Sequence, residues 1–241
     1  MIRIFHEYEE LCRTAAEYIV TIGKRCIGKQ GTFDLVLSGG KTPAECYRIL
    51  AGRHQHEQKL WSNTHVYWSD ERCVPPTDPE SNYYMAKTTL LDFVNIPPEQ
   101  IHRIPGESPD PQAAANQYDA KFPLSVDLLL LGIGQEGHTA SIFPFSPVIT
   151  ETKRHVVYVE APVKPQKRIT ITPLVIANAV EVLVLVSGEN KAHAMEQVFT
   201  EFGNVQETPA RLIRKAVWFV DKPAAKRIAK HISVVQSMIS R

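Results

Sequence analysis

Apolar residues along this chain keep two rhythms that take turns. Short apolar runs bounded by glycine or polar residues occur at Ile2 to Phe5, Phe33 to Leu37, Leu128 to Leu131, Val182 to Val186 and Ala216 to Val220. Such runs predict strands, and those that are apolar throughout predict strands buried on both faces. His65 to Ser69 and His155 to Val159 are strand-like, and Arg168 to Thr172 alternates as a strand does. Between these runs the apolar positions recur at helical spacing. Leu11, Ala15, Tyr18, Ile19, Ile22 and Cys26 form one face over Tyr8 to Ile27, and Ala192, Met195, Val198 and Phe199 one over Asn190 to Phe202. Helices are also predicted over Ser81 to Phe93, Pro111 to Phe122 and Ala224 to His231, with Pro173 opening a short one. Thr42-Pro43-Ala44-Glu45 predicts a helix start, with Thr42 as N-cap and Pro43 at the first helical position, running to about Leu50. Ile101 to Ile104 reads as a short extended piece, and Phe143 to Lys167, with four prolines, as the least regular stretch. Strands alternating with helices predict an α/β fold: one domain over residues 1–241, with a Rossmann-like, mainly parallel sheet flanked by helices.

The leucine run leads into the densest chemistry. Leu128 to Leu131 is followed by Gly132-Ile133-Gly134-Gln135-Glu136-Gly137-His138-Thr139. A buried strand opening into a glycine-rich loop presents its residues at the carboxyl edge of the sheet, where open α/β folds bind ligands. His138 is the candidate general base or acid, because its ordinary pKa lies near neutral pH. Glu136 is placed to orient it. His54, His56 and His231 read as surface residues, and His6, His65, His102, His155 and His193 lack a glycine-rich polar neighbourhood.

Three further clusters fall at expected strand ends: Ser38-Gly39-Gly40-Lys41-Thr42, Asp70-Glu71-Arg72, and Ser187-Gly188 with Lys191. The first joins a strand to a helix start and suits an anion, through free N–H groups and the positive helix end. Arg72 suits phosphate because a guanidinium binds it through two donors. Lys191, in the first turn of its helix, opposes the helix dipole, which points to an anion nearby. Arg168 closes a basic run that starts at Lys164 and reads on its own as a solvated face.

Composition narrows the alternatives. The formal charge of +1, with 44% apolar and 22% charged residues, provides no field that would draw nucleic acid or an anionic membrane. No apolar run reaches the length of a membrane span, and MIRIFHEYEEL lacks the basic start and apolar core of a signal peptide, so a cytoplasmic location is expected. Cys12, Cys26, Cys46 and Cys73 are widely spaced and read as reduced thiols, with disulfides or zinc as the alternative. The chain has no G-x-S-x-G and no H-E-x-x-H, and the SGGKTP turn fits neither of the common nucleotide-binding glycine patterns. What remains is an imidazole, a carboxylate, donors and cations, a set suited to attack of water on an activated carbonyl of a phosphorylated substrate.

The stretch GIGQEGHTASIFP resembles the G-x-G-x-D-G-H-T-A-S-L-F-P signature of the 6-phosphogluconolactonases, sugar-lactone hydrolases of the pentose phosphate pathway, with Glu136 where the family has Asp. LSGGKTP, SDERCVP, SNYYMAK, KPQKRITITP, SGENKA and PARLIR with WFVD resemble further motifs of that family, in order, over nearly the whole chain. The resemblance implies hydrolysis of 6-phospho-D-glucono-1,5-lactone to 6-phosphogluconate. His138 would activate water with Glu136 beside it; Gly39, Gly40, Lys41, Thr42, Asp70, Arg72, Gly134, Arg168 and Lys191 would hold substrate and phosphate. It implies no cofactor, and no metal, nucleic acid, membrane or obligate protein partner is expected. The glucosamine-6-phosphate deaminase/isomerases share the architecture but continue from their histidine into an acidic N-E-P segment. Here Thr139-Ala140-Ser141 follows, so a second acid/base group is expected to be missing. A non-catalytic sugar-phosphate sensor is the remaining alternative.

Overall fold

The computed structural model describes residues 1–229. The chain opens with β1 (Ile2–Phe5), α1 (Tyr8–Gln30), β2 (Phe33–Leu37) and α2 (Lys41–His54). A short α3 (Gln58–Trp61) leads to β3 (Thr64–Trp68), β4 (Asp70–Arg72), α4 (Asn82–Thr89), α5 (Pro111–Asp119) and β5 (Leu128–Leu131). Then come β6 (Val156–Glu160), β7 (Lys167–Ile171), α6 (Pro173–Asn178), β8 (Val182–Val186), α7 (Ala192–Phe199), β9 (Val217–Asp221) and α8 (Lys222–Ala225).

Six strands form one all-parallel sheet in the order β1-β9-β8-β5-β2-β3. This is the expected α/β architecture, and the leucine strand lies in its interior. β5 pairs with β8 on one side and β2 on the other, and its four leucines have no exposed surface. An interior strand with both faces covered has no polar positions to offer, which explains the uninterrupted run. Helix α1 packs one apolar face on the sheet, with Leu11, Ala15, Ile19, Ile22 and Cys26 buried, and ends at Gly31 in the left-handed conformation (φ 88°). The described residues share one hydrophobic core.

The sequence pattern did not show the second sheet. Asp70-Glu71-Arg72, expected as a loop beyond the third strand, is itself β4, and it pairs antiparallel with β7, which pairs antiparallel with β6. Arg72 therefore faces Arg168 in register. Glu71 is almost completely buried and accepts from the N–H groups of Arg72 (2.8 Å), Asn82 (2.7 Å) and Tyr83 (2.8 Å) and from the Ser81 hydroxyl (2.9 Å). Burial pushes its carboxyl up, and those four donors oppose the shift. It satisfies the otherwise unpaired N–H groups at the start of α4 and so anchors that helix to β4.

Several boundaries moved. Thr42 is not an N-cap: α2 starts at Lys41 after Gly40, whose φ of 108° suits only glycine well, and extends past Leu50 to His54. Pro43 is then the third helical residue, still in the turn whose N–H groups have no helical acceptor, so its ring costs nothing there. The helices expected over Ser81 to Phe93 and Asn190 to Phe202 are each split, with 3₁₀ turns at Leu91–Phe93 and Glu189–Lys191. The last helix, expected to reach His231, runs over Lys222–Ala225, and residues 230–241 lie outside the described region. His54, expected at the surface, is largely covered, with its side chain 13% exposed and Nε2 3.3 Å from Glu17. Cys12, Cys26 and Cys46 are buried, Cys73 is half-buried, and all four are free thiols.

Candidate active site

The carboxyl ends of β2, β5 and β8 meet strand β4 of the small sheet around a cleft of about 410 Å3. Its walls include Gly39, Gly40, Asp70, Arg72, Asn82, Gly134, Glu136, His138, Arg168 and Lys191. Nine of the eleven residues expected in the site are thus brought together. Lys41 and Thr42 instead line an adjoining hollow of about 570 Å3, which shares Gly39, Gly40 and Lys191 with the first.

The loop after β5 is built around the histidine. Gly134 N–H donates to the His138 carbonyl (2.8 Å) and Gly137 N–H to the Gly134 carbonyl (3.2 Å), closing a tight turn with Gly137 at φ 77°. The imidazole lies directly against Gly134, where a Cβ would come within 2.0 Å of the ring. Those two N–H groups are consumed within the loop, so they are not free to receive negative charge from a ligand. Thr139 is fully buried and donates to the Gly132 carbonyl (2.9 Å), which ties the far side of the loop to the end of β5.

His138 Nδ1 lies 3.0 Å from Glu136 Oε2. Partial burial by itself would raise the Glu136 carboxyl. Its own backbone N–H, His138 and Lys191 outweigh that and hold it below the usual carboxylate range. An ionised carboxylate only accepts, so Nδ1 carries the hydrogen and Nε2 keeps its lone pair. Burial lowers the His138 pKa from the ordinary histidine value, with Glu136 and Asp70 acting against the shift. The neutral imidazole is therefore the resting form at neutral pH, as a base requires.

Asp70 stands in the same cleft, 6% exposed. It accepts from the Ser141 hydroxyl (2.6 Å) and the Asn82 amide (3.1 Å), with Arg168 Nη1 3.9 Å away. Asp70, expected among the substrate-holding residues, is thus a second carboxylate beside Glu136 in the cleft. It comes from β4, and its oxygens are already engaged by protein donors.

The cations come from three elements. Arg72 donates to the Glu80 carbonyl, while its Nε is buried without a partner. Arg168 donates through Nε to the Pro165 carbonyl (2.9 Å), and burial, then the nearby Arg72, pulls it below the usual guanidinium value. Lys191 follows the Gly188 turn, with no carboxylate in ion-pair range among the described residues. Burial lowers its pKa and Glu136 opposes that shift. The Ser38 hydroxyl, also on the cleft, is a second buried polar atom without a partner. Unpaired buried polar groups gathered around one cleft are the mark of a polar ligand site. Among the described residues no group of three or more His, Cys, Asp or Glu side chains converges as metal ligands do.

A family model described as glucosamine-6-phosphate isomerases/6-phosphogluconolactonase matches residues 6–220. The chain belongs to this family. It is 34% identical to a 6-phosphogluconolactonase of Synechocystis, covering 90% of this chain and 94% of the relative. It is 33% identical to one of Nostoc, covering 95% and 98%. Among solved structures, the 6-phosphogluconolactonase of Trypanosoma brucei superposes with a TM-score of 0.84 at 27% identity, covering 95% of this chain and 98% of that one.

Within this family framework, three residues that sequence reasoning did not place in the site shape it. Ser141 and Asn82 hold Asp70. Asp221, 4% exposed, accepts from the Ser187 hydroxyl (2.6 Å), Gly188 N–H (3.0 Å) and Ala224 N–H (2.8 Å), fixing the turn that delivers Lys191. The polar character of Ser141 and the SN pair at Ser81-Asn82 were visible in the chain. Their common partner at position 70 was not, because nothing local links positions 70, 82 and 141.

Proposed function

We propose that this chain hydrolyses 6-phospho-D-glucono-1,5-lactone to 6-phospho-D-gluconate, with His138 as the base that activates water. The observation that carries the reading is the His138–Glu136 pair, which leaves Nε2 free to take a proton in a cleft also lined by Arg72, Arg168 and Lys191. Family membership and relatives named as 6-phosphogluconolactonases support it.

In the proposed step, a water oxygen bonds to the lactone carbonyl carbon as its proton passes to Nε2. The carbonyl electron pair moves onto oxygen, where the hydrogen-bond donors of the cleft stabilise it. When that pair returns, the bond from carbon to ring oxygen breaks, and the imidazolium proton goes to the departing oxygen. The product is an open-chain acid, and the histidine is neutral again. Glu136 keeps the Nδ1–H tautomer and favours the transient imidazolium. The arginines, Lys191 and the N–H groups beside Gly39 and Gly40 hold the phosphate. The chemistry calls on no group beyond these side chains and water.

The test follows loss of the lactone, coupled to 6-phosphogluconate dehydrogenase, with spontaneous hydrolysis subtracted. Enzymatic acceleration is expected, and so is an absence of ammonia release from glucosamine 6-phosphate above background. Ammonia at enzymatic rates with lactone decay no faster than in buffer would establish the deaminase reading. Neither activity would point to a sensor.

A further inference from the structure

Asn82 is the first residue of α4, 3% exposed and on the cleft wall. Its backbone N–H is spent on Glu71. Its side-chain nitrogen donates to the Asp70 carbonyl oxygen (2.8 Å) and to Asp70 Oδ1 (3.1 Å). Both of those atoms can only accept. Of the two ways to orient a carboxamide, only one sets hydrogens against them, so the amide orientation follows from its partners. Asn82 Oδ1 is consequently turned toward Gly39, close enough that a Cβ there would come within 1.9 Å of it. Among the described residues no donor reaches this oxygen.

We propose that Asn82 Oδ1 accepts a hydrogen bond from a hydroxyl of the bound sugar, which makes Asn82 a specificity-determining residue. The proposal rests on the lactonase reading and deepens it. An amide oxygen on the cleft wall with no protein donor keeps its acceptor capacity for a ligand hydroxyl. The phosphate is a poor candidate for this place: its dianion has no hydrogen to give, and the Asp70 carboxylate next to the amide repels it. A ring hydroxyl has the hydrogen and carries no charge. Gly39 is part of the same arrangement, since any side chain there would occupy the space over Oδ1.

The experiment compares wild type with Asn82→Ala on 6-phosphogluconolactone and on its 2-, 3- and 4-deoxy analogues. On the parent substrate kcat/KM is expected to fall at least roughly three- to tenfold in the variant, the effect of one uncharged hydrogen bond added to the loss of Asp70's support. On one deoxy analogue the loss should be smaller by about that factor than on the other substrates, because the hydroxyl bond is already absent and only the support of Asp70 remains to be removed. An equal loss on all four substrates would overturn the proposal and leave Asn82 as a support for Asp70 alone. Should Asn82→Ala not fold, wild type decides by itself: one analogue must lose a similar factor, and undiminished kcat/KM on all three rejects the hydroxyl contact. Wild type inert on the parent lactone would bring down the lactonase reading, and this proposal with it.

Discussion

The Ser141 hydroxyl donates to Asp70 Oδ2 across 2.6 Å, joining the loop after β5 to strand β4 of the small sheet. Both residues are buried, so the bond is shielded from water. Ser141→Ala leaves a buried carboxylate with one donor fewer. A loss of about 1–3 kcal/mol is expected, the cost of an unsatisfied buried acceptor. Denaturant unfolding checks it: an unchanged midpoint would show that Asp70 finds another donor at no cost.

His138→Ala is expected to lower kcat by ~10²–10⁴-fold, the usual contribution of a positioned base, with the fold retained. In the wild type, activity should rise with pH as the imidazole loses its proton. Burial lowers the His138 pKa, so this acid limb should lie below the ordinary histidine value of about 6.5. The Glu136 carboxylate favours the charged ring and works against that shift. Glu136→Gln should therefore move the acid limb to still lower pH while lowering kcat. A limb that moves upward would contradict the assigned contact.

Arg72→Ala should weaken binding of the phosphorylated lactone by roughly 1.5–3 kcal/mol, the range for a hydrogen bond to a charged group. Slow turnover of unphosphorylated gluconolactone should scarcely change. Kinetics on the two substrates side by side decide the matter. Equal losses on both would mean that Arg72 serves the reacting centre or the fold rather than the phosphate.

Gly134→Ala should abolish most activity, because its Cβ would meet the His138 ring at 2.0 Å and force the ring or the loop to move. Thr139, tied to Gly132, restricts the loop from giving way. Near-normal kcat in this variant would show that the ring need not lie against the turn.

Stability should fall in mild acid through a pair of histidines outside the cleft lining. His65 Nδ1 and His102 Nε2 lie 3.1 Å apart, and burial, then His65 and Lys121, lowers the His102 pKa. A histidine with a depressed folded pKa takes up protons more readily in the unfolded chain, so stability is full above about pH 6.5 and declines as pH falls below it. Unfolding midpoints at pH 7.5 and 5.5 should differ, and His102→Phe should reduce the difference.

Features that depend on near neighbours in the chain were legible without a structure. An uninterrupted Leu128 to Leu131 announces an interior strand, because burial on both faces leaves no room for a polar residue. The glycines around His138 announce a ligand loop, because only a backbone without side chains turns that tightly beside an imidazole. Features that depend on chain segments meeting across a distance were not. β4 is three residues long and reads as a polar turn until β7, nearly a hundred residues later, supplies its partner. Thr42 has every local mark of a cap, yet the helix starts at Lys41, after the left-handed Gly40. Asp70, Asn82 and Ser141 become one cluster only when β4, α4 and the loop after β5 are packed together. Hydrogen bonds and burial at this cleft are set by the three-dimensional neighbours of each residue, and the one-dimensional pattern records only which of them are able to take part.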